Sequence, residues 1–106
     1  MTGNQIDLNG LTAAVTGGAQ GIGFAVAARF LKSGARVALW DVDIERAEAS
    51  AKELTQLGNA VAARCDVTDP ASIGEALVAT QTALGPVDIL VNSAARTGHI
   101  LNDFSS

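Results

Sequence analysis

The chain has 106 residues, one domain's worth of polypeptide, and 48% of them are apolar, so it is expected to fold around a modest core rather than stay disordered. Its 7 basic residues are outnumbered by 11 acidic ones, for a net charge of −4, and no stretch concentrates Lys or Arg, which argues against a nucleic-acid partner. Apolar runs are broken by Arg29, Asp41 or glycine long before they could span a membrane, and residues 1–10 lack the basic and apolar regions of a secretory signal. Cys65 is the single cysteine and has no internal disulfide partner, so a reducing, cytoplasmic setting is expected.

Read in order, the chain alternates short apolar runs with helical stripes. The first run covers residues 13–16. The segment 21–33 that follows is apolar on most sides (Ile22, Phe24, Val26, Phe30, Leu31), as suits a helix buried deeply against a sheet. A second run covers 36–40. Next, Ile44, Ala47, Ala51, Leu54 and Leu57 fall near a 3.6-residue period, with Glu45, Glu48, Lys52 and Glu53 opposite and Glu48 correctly placed to pair with Lys52. A third run covers 60–65, a second stripe follows at Ile73, Ala76, Leu77, Thr80 and Leu84, and a fourth run covers 87–91. Asp43 and Asp69 stand where they can cap the second and third helices, with Pro70 at a first helical position. Gly34, Gly58 and Gly85 follow the three helices, the last backed by Pro86. The run starts at 13, 36, 60 and 87 are 23, 24 and 27 residues apart, about one strand, one helix and two short loops. Runs this continuous predict strands buried on both faces, hence a parallel α/β sheet in the order β-α-β-α-β-α-β with right-handed crossovers.

The chemistry concentrates at the first strand-to-helix junction, Thr16-Gly17-Gly18-Ala19-Gln20-Gly21-Ile22-Gly23. Glycines at 17, 21 and 23 suit a tight turn, close backbone approach to a phosphate, and helix–strand contact. The helix starting there offers unsatisfied N–H groups to an anion. The spacing lacks the Gly-Lys-Ser/Thr ending of a nucleoside triphosphate loop. Asp41 closes the second run 20 residues after Gly21, where a dinucleotide fold places the acid that binds the adenosine ribose. Its carboxylate can accept ribose hydroxyls in bonds worth ~1.5–3 kcal/mol each. It would repel a 2′-phosphate by about 4 kcal/mol per unit charge at contact before screening, and Gln20 brings no positive charge to offset this. NAD is therefore expected over NADP.

Residues 16–23 resemble the T-G-x-x-x-G-x-G cofactor motif of the short-chain dehydrogenase/reductase family. Asp41, the Asp66-Val67 pair and Asn92-Ser93-Ala94-Ala95 fall in the order that family uses, over nearly the whole chain. The resemblance implies a three-layer, Rossmann-type doubly wound parallel sheet. It implies that Gly17, Gln20, Gly21, Ile22 and Gly23 line the pyrophosphate and nicotinamide-ribose side, that Asp41 holds the adenosine ribose, and that Asp66 and Val67 face the adenine. Asn92 and Ala94 keep the family's Asn-Asn-Ala-Gly pattern after the fourth strand, with Asn92 tying adjacent backbone together. Ser93 and Ala95 depart from it, Ala95 placing a methyl where glycine lets the chain pass close to the cofactor.

The same resemblance places a catalytic Ser and a Tyr-x-x-x-Lys pair on later elements, and this sequence has no tyrosine. A carbinol oxidation needs a group that takes the hydroxyl proton as hydride leaves. His99 reads as a surface residue, Cys65 as a small core residue and Trp40 as packing, and no cluster has metal-ligand spacing. The expectation is the NAD-binding half of a hydride-transferring oxidoreductase, stopping after the fourth strand and inactive alone. Two other classes fit parts of the pattern. One is a non-catalytic dinucleotide-binding or interaction module, including an engineered half-fold. The other is an S-adenosylmethionine methyltransferase, disfavoured because Thr16 and not an acid precedes the glycines. A fourth run left at a sheet edge further predicts self-association, or pairing with a missing second half.

Overall fold

The computed structural model describes residues 7–93. Seven elements follow one another: β1 (Thr12–Thr16), α1 (Gly21–Lys32), β2 (Arg36–Asp41), α2 (Ile44–Leu54), β3 (Ala60–Arg64), α3 (Pro70–Leu84) and β4 (Ile89–Asn92). The strands form one sheet in the order β3-β2-β1-β4, with every pairing parallel. The first two crossovers build the sheet outward from β1 on one side, and the third returns across β1 to place β4 on its other side. The C-terminal ends of all four strands therefore share one edge, with Thr16 beside both Trp40 and Asn92.

Helices cover both faces, as the doubly wound expectation requires. On one face Ala13, Val15, Val37 and Leu39 pack with Ala27 and Leu31 of α1 and with Ala47, Ala51 and Leu54 of α2. On the other, Ala14, Ala38, Trp40 and Ala63 pack with Ala76 and Leu84 of α3, and Cys65 joins them. Alternation along each strand sorts these residues between the two layers. Fully buried side chains such as Leu39, Val37 and Val15 contribute about 1.5–3 kcal/mol each through burial. The caps form as expected: Asp43 accepts from the Arg46 N–H at 3.1 Å, and Asp69 accepts from the Ala71 N–H at 3.0 Å with Pro70 in the first turn. At the opposite end of the sheet, the Thr12 N–H donates to Asp88 Oδ2 at 2.9 Å and the Asp88 N–H donates to Thr12 O at 2.8 Å. These two bonds set the register in which Ala13 faces Ile89.

Two sequence expectations change. Burial on both faces holds for β1 and the middle of β2, whereas β3 and β4 are only half-buried. They are the outer strands among the described residues, and α3 packs over β2 and β3, so Leu90 on the same face of β4 is left 59% exposed. Likewise α1 is not deeply buried all round. Only Gly23, Ala27 and Leu31 are fully buried, a single stripe along the helix, and Ile22 is 75% exposed. A helix lying on one face of a sheet can bury only one stripe, whatever its composition. Leu57 lies past the end of α2 and is exposed.

Trp40 fills the α3 side of the sheet at 2% exposure, and its indole N–H donates to Thr80 Oγ1 at 2.9 Å. It is a packing residue and offers no face to a ligand. Cys65 is a buried free thiol; burial, and then the Asp66 carboxylate, raise its pKa, with Arg64 pulling the other way. Thr80→Val keeps the shape of the side chain and removes the acceptor, leaving the indole N–H buried and unpaired. A loss of about 1–3 kcal/mol in urea-unfolding free energy is expected, with Thr80→Ser close to wild type. Equal stabilities for the two variants would show that the bond contributes nothing.

Candidate dinucleotide site

The C-terminal edge of the sheet brings together the ends of strands distant in sequence. β1 leaves the sheet at Thr16, and the Gly17 N–H still donates to Trp40 O at 2.7 Å before the chain turns away. Gly17 and Gly21 both have left-handed backbone, with φ of +62° and +64°. An L side chain is strained at either position, so glycine is what lets the loop fold back into α1. A Cβ on Gly21 would meet nothing within 4 Å, so this part of the loop faces open space. A Cβ on Gly23 would instead strike Gly17 O and the Ser93 hydroxyl, which makes Gly23 the point of closest approach between α1 and the strand ends. Gly18 is held just as tightly. Its Cβ would come within 2.9 Å of both Leu39 Cδ2 and Val15 O, a packing role that the motif spacing does not reveal.

Among the described helices, α1 alone lacks a side-chain cap. Its N-cap residue Gln20 makes no capping bond and no acid stands in the first turn, whereas Asp43 and Asp69 cap the other two. The first turn of α1 thus lies at the glycine loop without a side-chain cap from its N-cap residue and without an acid of its own. That arrangement suits an external anion.

Asp41 is half-buried at the end of β2. Its Oδ2 accepts from the Ala19 N–H at 3.3 Å and its Oδ1 from the Asp43 N–H at 3.0 Å. The carboxylate therefore joins the glycine loop to the start of α2. The Ser50 hydroxyl adds a second tie, donating to Ala19 O at 2.6 Å.

On the far side of Gly17, Thr16 Oγ1 lies 2.8 Å from Asn92 Oδ1 and accepts from the Ser93 N–H at 2.9 Å, while the Ser93 hydroxyl donates to Thr16 O. The expected backbone tie from Asn92 is divided between two residues. Asn92 meets the Thr16 side chain, and Ser93 supplies the backbone contacts. Asp66 and Val67 lie two strands from β1, beyond the end of β3. Asp66 Oδ1 accepts from the Thr68 N–H at 2.9 Å and from its hydroxyl at 2.6 Å, and the Asp66 N–H donates to Ser72 Oγ at 2.9 Å. Asp66 therefore shapes the turn into α3. Ala94, Ala95 and His99 lie outside the described residues. Among those described, no group of three or more His, Cys, Asp or Glu could hold a metal ion, and no helix is long and apolar enough to cross a membrane.

Gly17, Gln20, Gly21, Ile22, Gly23, Asp41 and Asn92 thus share one edge, with Asp66 and Val67 at its β3 end. Motif reading missed Gly18, Ser50, Ser93 and Arg46, whose guanidinium donates to Gln20 Oε1. Ser50 and Arg46 lie 31 and 26 residues from their loop partners, and no local pattern signals such pairings.

Comparison with known proteins agrees with this geometry. The chain is 47% identical over 90 residues to D-threitol dehydrogenase of Mycolicibacterium smegmatis, covering 82% of this chain and 34% of the relative. It is 46% identical over 88 residues to sorbitol dehydrogenase of Cereibacter sphaeroides, covering 83% and 34%. The crystal structure of a hydroxysteroid dehydrogenase from Escherichia coli superposes with a TM-score of 0.83 at 36% identity, over 92% of this chain and 42% of that one. The chain spans about a third to a half of the length of the curated relatives it matches. The model of the short chain dehydrogenase family matches residues 11–105, and the chain belongs to that family.

Proposed function

We propose that this chain is the NAD-binding portion of an oxidoreductase that transfers hydride between a nicotinamide cofactor and an alcohol or carbonyl compound. The observation that carries the reading is the glycine loop itself. Gly17 and Gly21 are left-handed, the Gly21 Cβ position faces open space, and α1 begins there without a side-chain cap. Gly17, Gln20, Gly21, Ile22 and Gly23 would hold the pyrophosphate and the adjoining ribose. Asp41 would hold the adenosine ribose, Asp66 and Val67 the adenine edge, and Asn92 and Ala94 the nicotinamide side. When bound, the cofactor supplies the hydride acceptor or donor. This chain's residues bind and orient it.

Asp41 favours NAD over NADP because a 2′-phosphate would lie against a carboxylate already fixed by two backbone N–H groups. No tyrosine is present in the 106 residues, so we assign this stretch cofactor binding and not turnover. That leaves a non-catalytic dinucleotide-binding module as the second reading, separated from the first by whether alcohol oxidation appears when the chain is part of a longer protein. The methyltransferase alternative finds no support in a member of a dehydrogenase family. The named relatives act on polyols and a steroid, and a hydroxylated small molecule is the substrate class proposed for the whole enzyme. A reducing cytoplasmic setting fits a nicotinamide enzyme with one buried free thiol.

The exposed Leu90 and the outer backbone edge of β4 make self-association of the isolated chain, or pairing with further polypeptide, part of the same proposal.

Calorimetric titration tests the cofactor assignment. Gly21→Val both strains a left-handed residue and fills the open space, so it should abolish NAD binding; unchanged affinity would remove the loop from the site. Asp41→Asn keeps an acceptor oxygen for one of the two N–H groups while removing the charge, and should raise the NADP-to-NAD affinity ratio by about tenfold or more. An unmoved ratio would make Asp41 a purely structural tie. Sedimentation of the chain at micromolar concentration should show dimers or larger species, and a stable, cooperatively melting monomer would contradict the open-edge proposal.

A further inference from the structure

The loop after β1 is gripped at one residue from two sides. Ala19 is buried at 4% exposure; its N–H donates to Asp41 Oδ2 at 3.3 Å, and its carbonyl accepts from the Ser50 hydroxyl at 2.6 Å. Asp41 also accepts from the Asp43 N–H, and Asp43 caps α2, the helix that carries Ser50. The contacts close a triangle: Ala19 to Asp41, Asp41 to the start of α2, and Ser50 back to Ala19. Arg46, one helical turn before Ser50 and so on the same face, meets the side chain of the neighbouring Gln20. One face of α2 thus holds two consecutive residues of the glycine loop.

Helix stability does not account for serine at position 50. Ser50 carries the only hydroxyl in α2, it stands between Ala49 and Ala51, and serine forms helix less well than alanine. A mid-helix serine ordinarily turns its hydroxyl to solvent or to the carbonyl four residues back. Here the hydroxyl leaves the helix and reaches a carbonyl 31 positions upstream. Peptide geometry gives that bond a consequence. The peptide joining residues 19 and 20 is trans, so its C=O and N–H point in opposite directions. With the Ala19 carbonyl drawn to α2, the Gln20 N–H is turned away from α2, at the N-cap of α1, where no side-chain capping bond is made.

We propose that Ser50 is a positioning residue for the phosphate end of the cofactor: by holding the Ala19 carbonyl, it keeps the Gln20 N–H presented to the pyrophosphate. The inference rests on the dinucleotide reading above and deepens it. Ser50 acts through one peptide plane, so its contribution belongs to ligands that carry a phosphate and not to the adenosine that Asp41 reads. A loop freed from Ser50 stays tethered at the Ala19 N–H by Asp41 but can rotate that peptide, and binding a phosphate must then include the cost of ordering it.

The test titrates NAD, ADP and adenosine into the full chain and into the Ser50→Ala and Ser50→Thr variants. Alanine favours the helix, so the first variant keeps its fold, which urea unfolding checks. Ser50→Ala should bind NAD and ADP about five- to tenfold more weakly, the effect of losing one ordering hydrogen bond, while adenosine affinity stays within about twofold. Ser50→Thr keeps the hydroxyl and should bind all three within about twofold of wild type. The ADP-to-adenosine ratio is read on one variant at a time, so a change in overall stability leaves it unmoved. Unchanged NAD and ADP affinities in Ser50→Ala, equal losses for ADP and adenosine, or a Thr variant as weak as the Ala variant would overturn the proposal. If the wild-type chain bound neither NAD nor ADP, the cofactor reading itself would fail, and this inference with it.

Discussion

At Thr16 the central strand runs out of sheet, and most of what this protein can do depends on how that end is finished. Among the described strands β1 alone is buried along its whole length, and it is paired on both sides, so its last peptide groups must find partners away from water. Gly17 supplies one by continuing to donate to Trp40 O, and Ser93 supplies others through the Thr16 hydroxyl and carbonyl. An unmade bond at such a position costs about 1–3 kcal/mol, so the glycine loop leaves the sheet at a fixed point and in a fixed direction. Gly23 then lodges against Gly17 and Ser93, which aims the start of α1 at the same edge.

Asp41 extends that finish to the neighbouring strand. A carboxylate bonded to backbone N–H groups at Ala19 and Asp43 holds the loop after β1 and the loop after β2 in one arrangement. The residue that would read the ribose is therefore also the residue that shapes the pocket. On the proposed reading, binding selectivity and local order would be coupled through one side chain, and the conservative change to Asn separates charge from hydrogen bonding better than truncation does.

The small size of the core residues serves the same end. Ala13, Ala14, Ala38, Ala27, Ala47, Ala51, Ala63 and Ala76 lie in the two layers that flank the sheet, with Trp40 and Leu84 as large buried side chains on the α3 side. Short side chains let helices lie close to the strands, which brings the α1 N-terminus near the strand ends. They also bury less apolar surface each than Leu or Ile would. On the β4 side Leu90 stays exposed because α3 packs over β2 and β3.

The order of elements, the caps at Asp43 and Asp69, the glycine turn and the acid ending β2 were legible in the sequence because each is a local signal. Helical period, N-cap chemistry and left-handed backbone are decided within a few residues. Family resemblance added the Rossmann-type assignment of the parallel sheet and the grouping of Asp66 and Asn92 with the loop. Tertiary structure alone decided which apolar residues are truly covered. A sequence cannot say that β3 and β4 are left only half-buried, or that α1 buries only the Gly23, Ala27 and Leu31 stripe, since burial depends on what lies across the sheet and not on the residue's own character. It likewise could not show that Asp41 is tied to Ala19, that Ser93 takes over the backbone tie, or that Arg46 reaches Gln20. Those contacts join residues 22 to 77 positions apart, and they exist only because parallel pairing brings the C-terminal ends of the strands to one edge.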